Sequence, residues 1–411
     1  MVRIGAHLAG RGDEVTVLTG PEHRSDIIAA GLRAASLPTS TSVQAPGPAV
    51  ARTLLPPLLR RYLTGRSELQ SVFIEPLRHQ YQAVRELLAN DPFDALLVDV
   101  AFTGVLPLLL SQDPRPPVLV CGVGPLMLSS RDTPPFGMAW QPEASFDYRA
   151  MTRFAHRVLF GDVKARLDRE LRLLQSVPAP EFISDWPRLA DGLLQLSMPG
   201  FEYPRNDLPA GAVFVGPVLP AGPDEVFERP PWWGDMAEAP IVVHVTQGTF
   251  DNTNLGQLIG PTMAGLADRE DVLVVASTGG RRGHVLRGAT PGNGRITNWV
   301  PYSQLMPHVD VMVTNGGYGG VQHALSHGVP LVVAGETSDK AEVAARVQYT
   351  GAGIDLGTAR PSATRVASAV DRILRDGTFR AAAGRLGAEI ATADPLTDIA
   401  QRLASHATLH F

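Results

Sequence analysis

Four short runs in the second half of the chain constrain its fold more than anything else: Ile241-Val242-Val243-His244-Val245-Thr246, Val272-Leu273-Val274-Val275-Ala276, Val309-Asp310-Val311-Met312-Val313-Thr314 and Pro330-Leu331-Val332-Val333-Ala334. Each is nearly continuous in apolar side chains, so as a strand it has no polar face to offer water and must be buried on both sides. A parallel sheet covered by helices meets that demand. A glycine-containing turn and a helix-compatible segment follow each run, as βα units require. The first half repeats the pattern with Glu14-Val15-Thr16-Val17-Leu18-Thr19, Asp94-Ala95-Leu96-Leu97-Val98-Asp99 and Pro117-Val118-Leu119-Val120-Cys121.

Between the two sets, Pro217, Pro220, Pro223, Pro230, Pro231 and Pro240 crowd one stretch, which reads as a linker. The expected organisation is therefore α/β, with two Rossmann-like, doubly wound parallel-sheet domains facing a cleft. Residues 1–215 form the first domain, 216–240 the linker and 241–411 the second, whose last helix is a candidate to cross back.

Charge and cysteine usage remove several function classes. Lys and Arg total 36 against 41 Asp and Glu, a net charge of -5, which gives no electrostatic footprint for nucleic acid. Cys121 is the only cysteine, so no intramolecular disulfide or multi-cysteine metal site can form, and a reducing cytoplasm is the expected location. The longest apolar stretch is broken by Asp99, Gly104 and Pro107, short of the ~20 residues of a membrane span, so no transmembrane segment is expected.

The opening residues pose a difficulty. Ile4 and Leu8 followed by Gly10 and Gly12 look like the end of a helix with no strand before it, whereas the first strand of a doubly wound sheet is central. The expectation is that either the chain start is wrong or the fold is damaged, with a natural reading frame beginning about 15–25 residues upstream.

Ligands of doubly wound sheets bind beyond the carboxyl ends of the strands, so Gln247-Gly248-Thr249, Thr278-Gly279-Gly280, Asn315-Gly316-Gly317 and Gly335-Glu336 should converge. Among these the segment Asn315-Gly316-Gly317-Tyr318-Gly319-Gly320-Val321-Gln322 is the strongest signal. Its glycines admit close backbone approach, and the free N–H groups of a helix start suit a diphosphate. Upstream, Trp299 beside Pro301 offers a flat surface to a base. Downstream, Ser338-Asp339-Lys340 can hydrogen-bond sugar hydroxyls.

Taken in order, Trp299-Val300-Pro301, the glycine-rich segment, Ala324-Leu325, Gly328-Val329-Pro330, Asp339-Lys340, Ala344-Ala345-Arg346 and Gly351-Ala352-Gly353 resemble the donor-binding signature of the family 1 glycosyltransferases, inverting enzymes of GT-B architecture. Gly124-Pro125-Leu126 with Ser130-Arg131-Asp132-Thr133 resembles the acceptor loop of actinobacterial, antibiotic-tailoring members. The resemblance implies transfer of a hexose from a UDP- or dTDP-sugar to a hydroxyl of a small lipophilic acceptor, with inversion. It implies no metal and no cofactor beyond the nucleotide sugar as co-substrate. It puts Trp299 and Val300 at the nucleobase, Thr249, next to Gly248, and the backbone of Gly319, Gly320 and Val321 at the diphosphate, and Asp339 with Lys340 at the sugar. Asn315, Gly316 and Gly317 complete the donor motif. His323 aligns with a position where the family has a ribose-binding Glu, and Asn315 with one where it commonly has His.

The reaction needs a base for the acceptor hydroxyl, and a His oriented by a carboxylate suits it. The resemblance places that His after the first strand, where this sequence has no counterpart. Its partner is Asp99, which a plainer reading makes a helix cap. His7 lies a turn too late to substitute, and His244 reads as a core histidine. The competing readings are a catalytically silent nucleotide-sugar-binding homologue, motivated by the missing strand, and a nucleotide-sugar epimerase. Trp232-Trp233 reads as interface packing and Arg281-Arg282 as solvated.

Overall fold

A computed structural model of the chain describes residues 1–38, 57–220, 227–249, 252–280, 290–336 and 339–408, without the side chains of Pro57, Leu58 and Arg60. Ser338, Arg281 and Arg282 lie outside the described residues.

In the first unit, β1 (Thr16–Thr19) and β2 (Arg33–Ser36) form a parallel pair. Strands β3 (Leu96–Asp99), β4 (Val118–Gly122), β5 (Gly192–Gln195) and β6 (Ala212–Phe214) form a parallel sheet in that order. Among the described residues no strand joins β1 to β3. The Val2–Gly10 helix bridges them instead: Ile4 enters the core made by Leu119, Cys121 and Leu194, while a Cβ at Gly5 would stand 3.0 Å from Leu32, just before β2, and 3.7 Å from Val17 of β1.

The second unit holds β7 (Ile241–Thr246), β8 (Val272–Ser277), β9 (Gly294–Thr297), β10 (Val311–Thr314), β11 (Leu331–Val333) and β12 (Gly353–Asp355). All are parallel, in the order β9-β8-β7-β10-β11-β12, which is the doubly wound order with its switch point between β7 and β10. Alternate residues feed opposite cores. Val242 and Met312 join Val321, Leu325 and Val343 on one face, and Val243, Val245, Val311 and Val313 join Ile259, Val366 and Ile373 on the other. Strand β10 starts two residues later than the apolar run; just before it, Asp310 donates its N–H to the Val242 carbonyl at 2.8 Å and accepts the Val242 N–H on its carboxylate at 2.9 Å.

The described residues 227–240 of the linker are more ordered than its prolines suggest. A 3-10 turn at Pro231–Gly234 packs Trp232 and Trp233 against the second unit's core. The Pro395–Thr408 helix returns to the first unit, where Ile399 is fully buried with Ile4 and Leu194. The last helix therefore packs on the first unit although it follows the second in the chain.

Candidate functional site

At the switch point the carboxyl-end loops meet as their sequence predicts. The Asn315 side-chain amide donates to the Gln247 carbonyl at 2.6 Å. Gly279, at φ +62°, lies so close to the loop after β7 that a Cβ there would stand 2.1 Å from the Gly248 carbonyl oxygen. Gly335 is equally tight, with its Cβ position 2.0 Å from the Asn315 carbonyl oxygen. Gly248 and Gly316 also take positive φ, +66° and +86°, which side chains resist. The four loops thus form one floor, with Thr249 exposed at its rim.

The Tyr318–Ser326 helix starts from that floor. Gly317 precedes its first turn, and the Val321 N–H closes on the Gly317 carbonyl at 3.1 Å. The earlier N–H groups have no intrahelical acceptor and carry the positive end of the helix dipole. Gly319 is exposed with open space where a side chain would be, and Gly320 faces the Tyr302 ring. An anion can therefore come to backbone contact here. Val321 itself points its side chain into the core.

Trp299 is 49% exposed, with its ring edge-on to Phe227 at 6.2 Å, and so presents a flat shelf. Val300 beside it is a core residue, leaving its backbone for any ligand. His323 is buried between Tyr302 and His327, and neither ring nitrogen has a hydrogen-bond partner. Burial pulls its pKa down to about 4, so the imidazole is neutral. His244 is a core histidine, its Nδ1 at 2.9 Å from the Val275 carbonyl, and burial likewise pulls it to about 4.

Asp339 precedes the Lys340–Tyr349 helix, and burial raises its carboxyl above the usual range. Its Oδ2 faces the first unit, 3.5 Å from where a Cβ at Gly124 would be. Lys340 is buried against Gly316 and Gly335. At the carboxyl end of β3, the Asp99 Oδ1 accepts the Ala101 N–H at 2.8 Å, and burial raises its pKa. That bond closes the turn after β3; the helix that follows has Phe102 at its N-cap with no side-chain cap, so Asp99 holds the turn and does not cap the helix.

Several residues that join the two units gave no signal in the sequence. The Tyr318 hydroxyl lies 3.5 Å from Gln195 Nε2, which donates to the Gly124 carbonyl at 2.6 Å. Arg346 pairs with Glu202 of the first unit at 2.7 Å and with Glu342 at 2.8 Å, all three buried. Of these, Tyr318 lies in the glycine-rich segment and Arg346 in the Ala344-Ala345-Arg346 motif, whereas Gln195, Glu202 and Glu342 lie in none. The charge partners sit 144 residues apart, beyond the reach of any periodicity.

Residues 262–405 match the family described as "Erythromycin biosynthesis protein CIII-like, C-terminal domain". Over nearly the whole chain, the sequence is 37% identical to 4'-demethylrebeccamycin synthase of Lentzea aerocolonigenes, covering 97% of this chain and 94% of that protein. It is 33% identical to UDP-glycosyltransferase 2 of Phaeomoniella chlamydospora, covering 97% and 91%. Among solved structures, the calicheamicin glycosyltransferase superposes with a TM-score of 0.71 at 21% identity, covering 98% of this chain and 94% of that one. The spinosyn rhamnosyltransferase complexed with thymidine diphosphate gives 0.64 at 23%, covering 97% and 94%. These neighbours share the GT-B fold. The chain belongs to the family 1, antibiotic-tailoring glycosyltransferases and is a hexosyltransferase that moves a sugar from a nucleotide sugar to an acceptor.

Proposed function

We propose that the donor is a UDP- or dTDP-sugar and that the hexose passes, with inversion and without a metal ion, to a hydroxyl of a small lipophilic acceptor. The observation that carries this reading is the free start of the Tyr318–Ser326 helix above the glycine floor. Charge develops on the leaving diphosphate as the glycosidic bond breaks, and fixed N–H dipoles can stabilise it in place of a cation. Trp299 stacks on the base, while Asp339 and Lys340 take the sugar hydroxyls. Gly248, Thr249, Asn315, Gly316, Gly317, Gly319, Gly320 and Val321 shape the phosphate site, with His323 behind it. An acceptor hydroxyl attacking opposite the leaving group gives inversion in one displacement. The acceptor's proton needs a base; Asp99 is placed as the partner that would orient the family's histidine, for which this sequence offers no counterpart.

A lipophilic acceptor is favoured by the loop opposite Asp339, where the buried Leu128 lines a cavity with Phe136 and Trp140. Cytoplasmic action is favoured by the single, buried Cys121. Among the described residues no helix is long and apolar enough to cross a membrane.

The test is to incubate the protein with UDP-glucose or dTDP-glucose and a planar phenol such as quercetin, with and without EDTA. The expected result is nucleoside diphosphate released in step with a β-glycoside, at rates that EDTA does not change. An α-glycoside, or strict dependence on a divalent ion, overturns the mechanism. Diphosphate release with free or isomerised sugar and no glycoside supports the epimerase reading instead.

A further inference from the structure

The loop that begins at Gly124 belongs to the first unit by sequence, yet it is fastened to the second. At one end, the Leu126 N–H donates to Glu202 Oε1 at 2.9 Å, and Glu202 Oε2 accepts from Arg346 Nε at 2.7 Å. At the other, the N–H groups of Gly137 and Ala139 both donate to Glu342 Oε1 at 2.8 Å, while Glu342 Oε2 accepts from Arg346 Nη1 at 2.8 Å. One guanidinium, 1% exposed, therefore ties both ends of the loop to the helix that starts beside Asp339 and Lys340.

Two features show that the loop is held rather than merely touching. Ala139 sits at φ +53°, a region that a residue with a Cβ occupies only when its surroundings dictate it. Buried carboxylates in this cluster spend their lone pairs on loop N–H groups, and charge-assisted bonds of that kind are strong and geometrically exacting. Between the loop and the helix lies a small cavity. Leu128, Pro134, Phe136 and Trp140 wall it, and Glu342 with Arg346 closes its base.

We infer that Glu342 and Arg346 are positioning residues that set the acceptor-binding wall relative to the donor sugar. The inference rests on the proposed sugar transfer. The start of the helix carries the sugar pair Asp339-Lys340, and Glu342 and Arg346, one turn apart just beyond it, carry the fastening of the acceptor loop. Donor and acceptor are thus indexed to one rigid element. Glu342 touches no reacting atom in this scheme; it acts through Gly137 and Ala139.

Glu342→Gln tests this with little change of volume. An amide cannot accept from Gly137 and Ala139 on one side and from Arg346 on the other, because one of the two faces becomes a donor. The KM for quercetin should rise about tenfold and kcat should fall, while the affinity for UDP moves less than about twofold. Cleavage by trypsin after Arg131, read by mass spectrometry, should accelerate about tenfold as local opening becomes easier. Glu342→Asp keeps the charge but retracts it from the loop, and should shift all readouts in the same direction by less. UDP binding on the same samples reports that the second unit is folded. Unchanged acceptor KM and unchanged cleavage in both variants would overturn the inference, as would UDP affinity falling in step with acceptor KM. The proteolysis needs no turnover, so an inactive wild type would count against the proposed reaction while the fastening was still tested.

Discussion

The side-chain amide of Asn315 reaches across the switch point of the second sheet and donates to the Gln247 carbonyl at 2.6 Å. Gln247 is itself committed on its other side, its Oε1 accepting the Leu258 and Ile259 N–H groups at 3.2 and 3.3 Å. The loops after β7 and β10 are therefore a single hydrogen-bonded unit. Asn315→Ala leaves a buried carbonyl without this donor, at a cost of about 1–3 kcal/mol. Urea unfolding should show that loss, and UDP affinity should fall with it because the floor loses its shape. A variant as stable as wild type with weaker UDP binding would mean that Asn315 contacts the ligand and does not merely join the loops.

Glycines of the floor separate into two kinds, which predicts opposite outcomes for the same substitution. A methyl on Gly335 would collide with the Asn315 backbone, so Gly335→Ala should destabilise the fold by a few kcal/mol, or about 2–4. Gly319 has nothing within 4 Å of its Cβ position and lies in a helix, where Ala is favoured over Gly by up to about 1 kcal/mol. Gly319→Ala should thus keep or raise Tm while weakening UDP and dTDP, since the methyl stands where a phosphate approaches. Loss of Tm at Gly319, or unchanged nucleotide affinity there, would place the anion elsewhere.

Trp299 offers its exposed ring as a shelf braced by Phe227. Removing a stacked ring costs about 1–2 kcal/mol per base, so Trp299→Ala should weaken UDP and dTDP binding roughly tenfold. Val300→Ala, which thins the core instead, should lower stability with a smaller effect on affinity. Equal UDP affinity in wild type and Trp299→Ala would remove the indole from the base site.

How much of this was readable from the chain follows from the range of each interaction. Strand β7 was legible because six residues from Ile241 to Thr246 carry their own burial signal, and the turn at Gly316 was legible because glycine announces positive φ. Strands β5 and β12 were not: each is short, begins with glycine and lacks a β-branched run, so only its neighbours make it a strand. Trp232 and Trp233 in the Pro-rich linker were legible as packed aromatics, but proline density says nothing of which surface they meet, and they lie against the second unit's core. Glu342 and Arg346, four apart on a helix, look in sequence like a solvated pair; their burial is decided by Glu202 and by a loop from the other half of the chain.

The histidines set the final prediction, on pH. Burial lowers both His323 and His244 to about 4, well below the ordinary imidazole value. In that window the unfolded chain takes up protons that the folded chain refuses, so stability is highest above the unfolded value and falls as pH drops towards about 4. Asp99, Asp339 and Asp355 act in the opposite sense, because burial raises their pKa and the folded chain binds their protons more readily. The two sets can be separated at His323, whose ring nitrogens are buried without partners. His323→Leu removes one titrating imidazole and two unsatisfied polar atoms at similar size, so it should be neutral or stabilising near neutral pH. Between about pH 7 and about pH 5 its Tm should fall less steeply than that of wild type. If the two curves run parallel, His323 is not what titrates. If the variant also binds UDP as tightly as wild type, the position that the family gives to a ribose contact is a packing position in this chain.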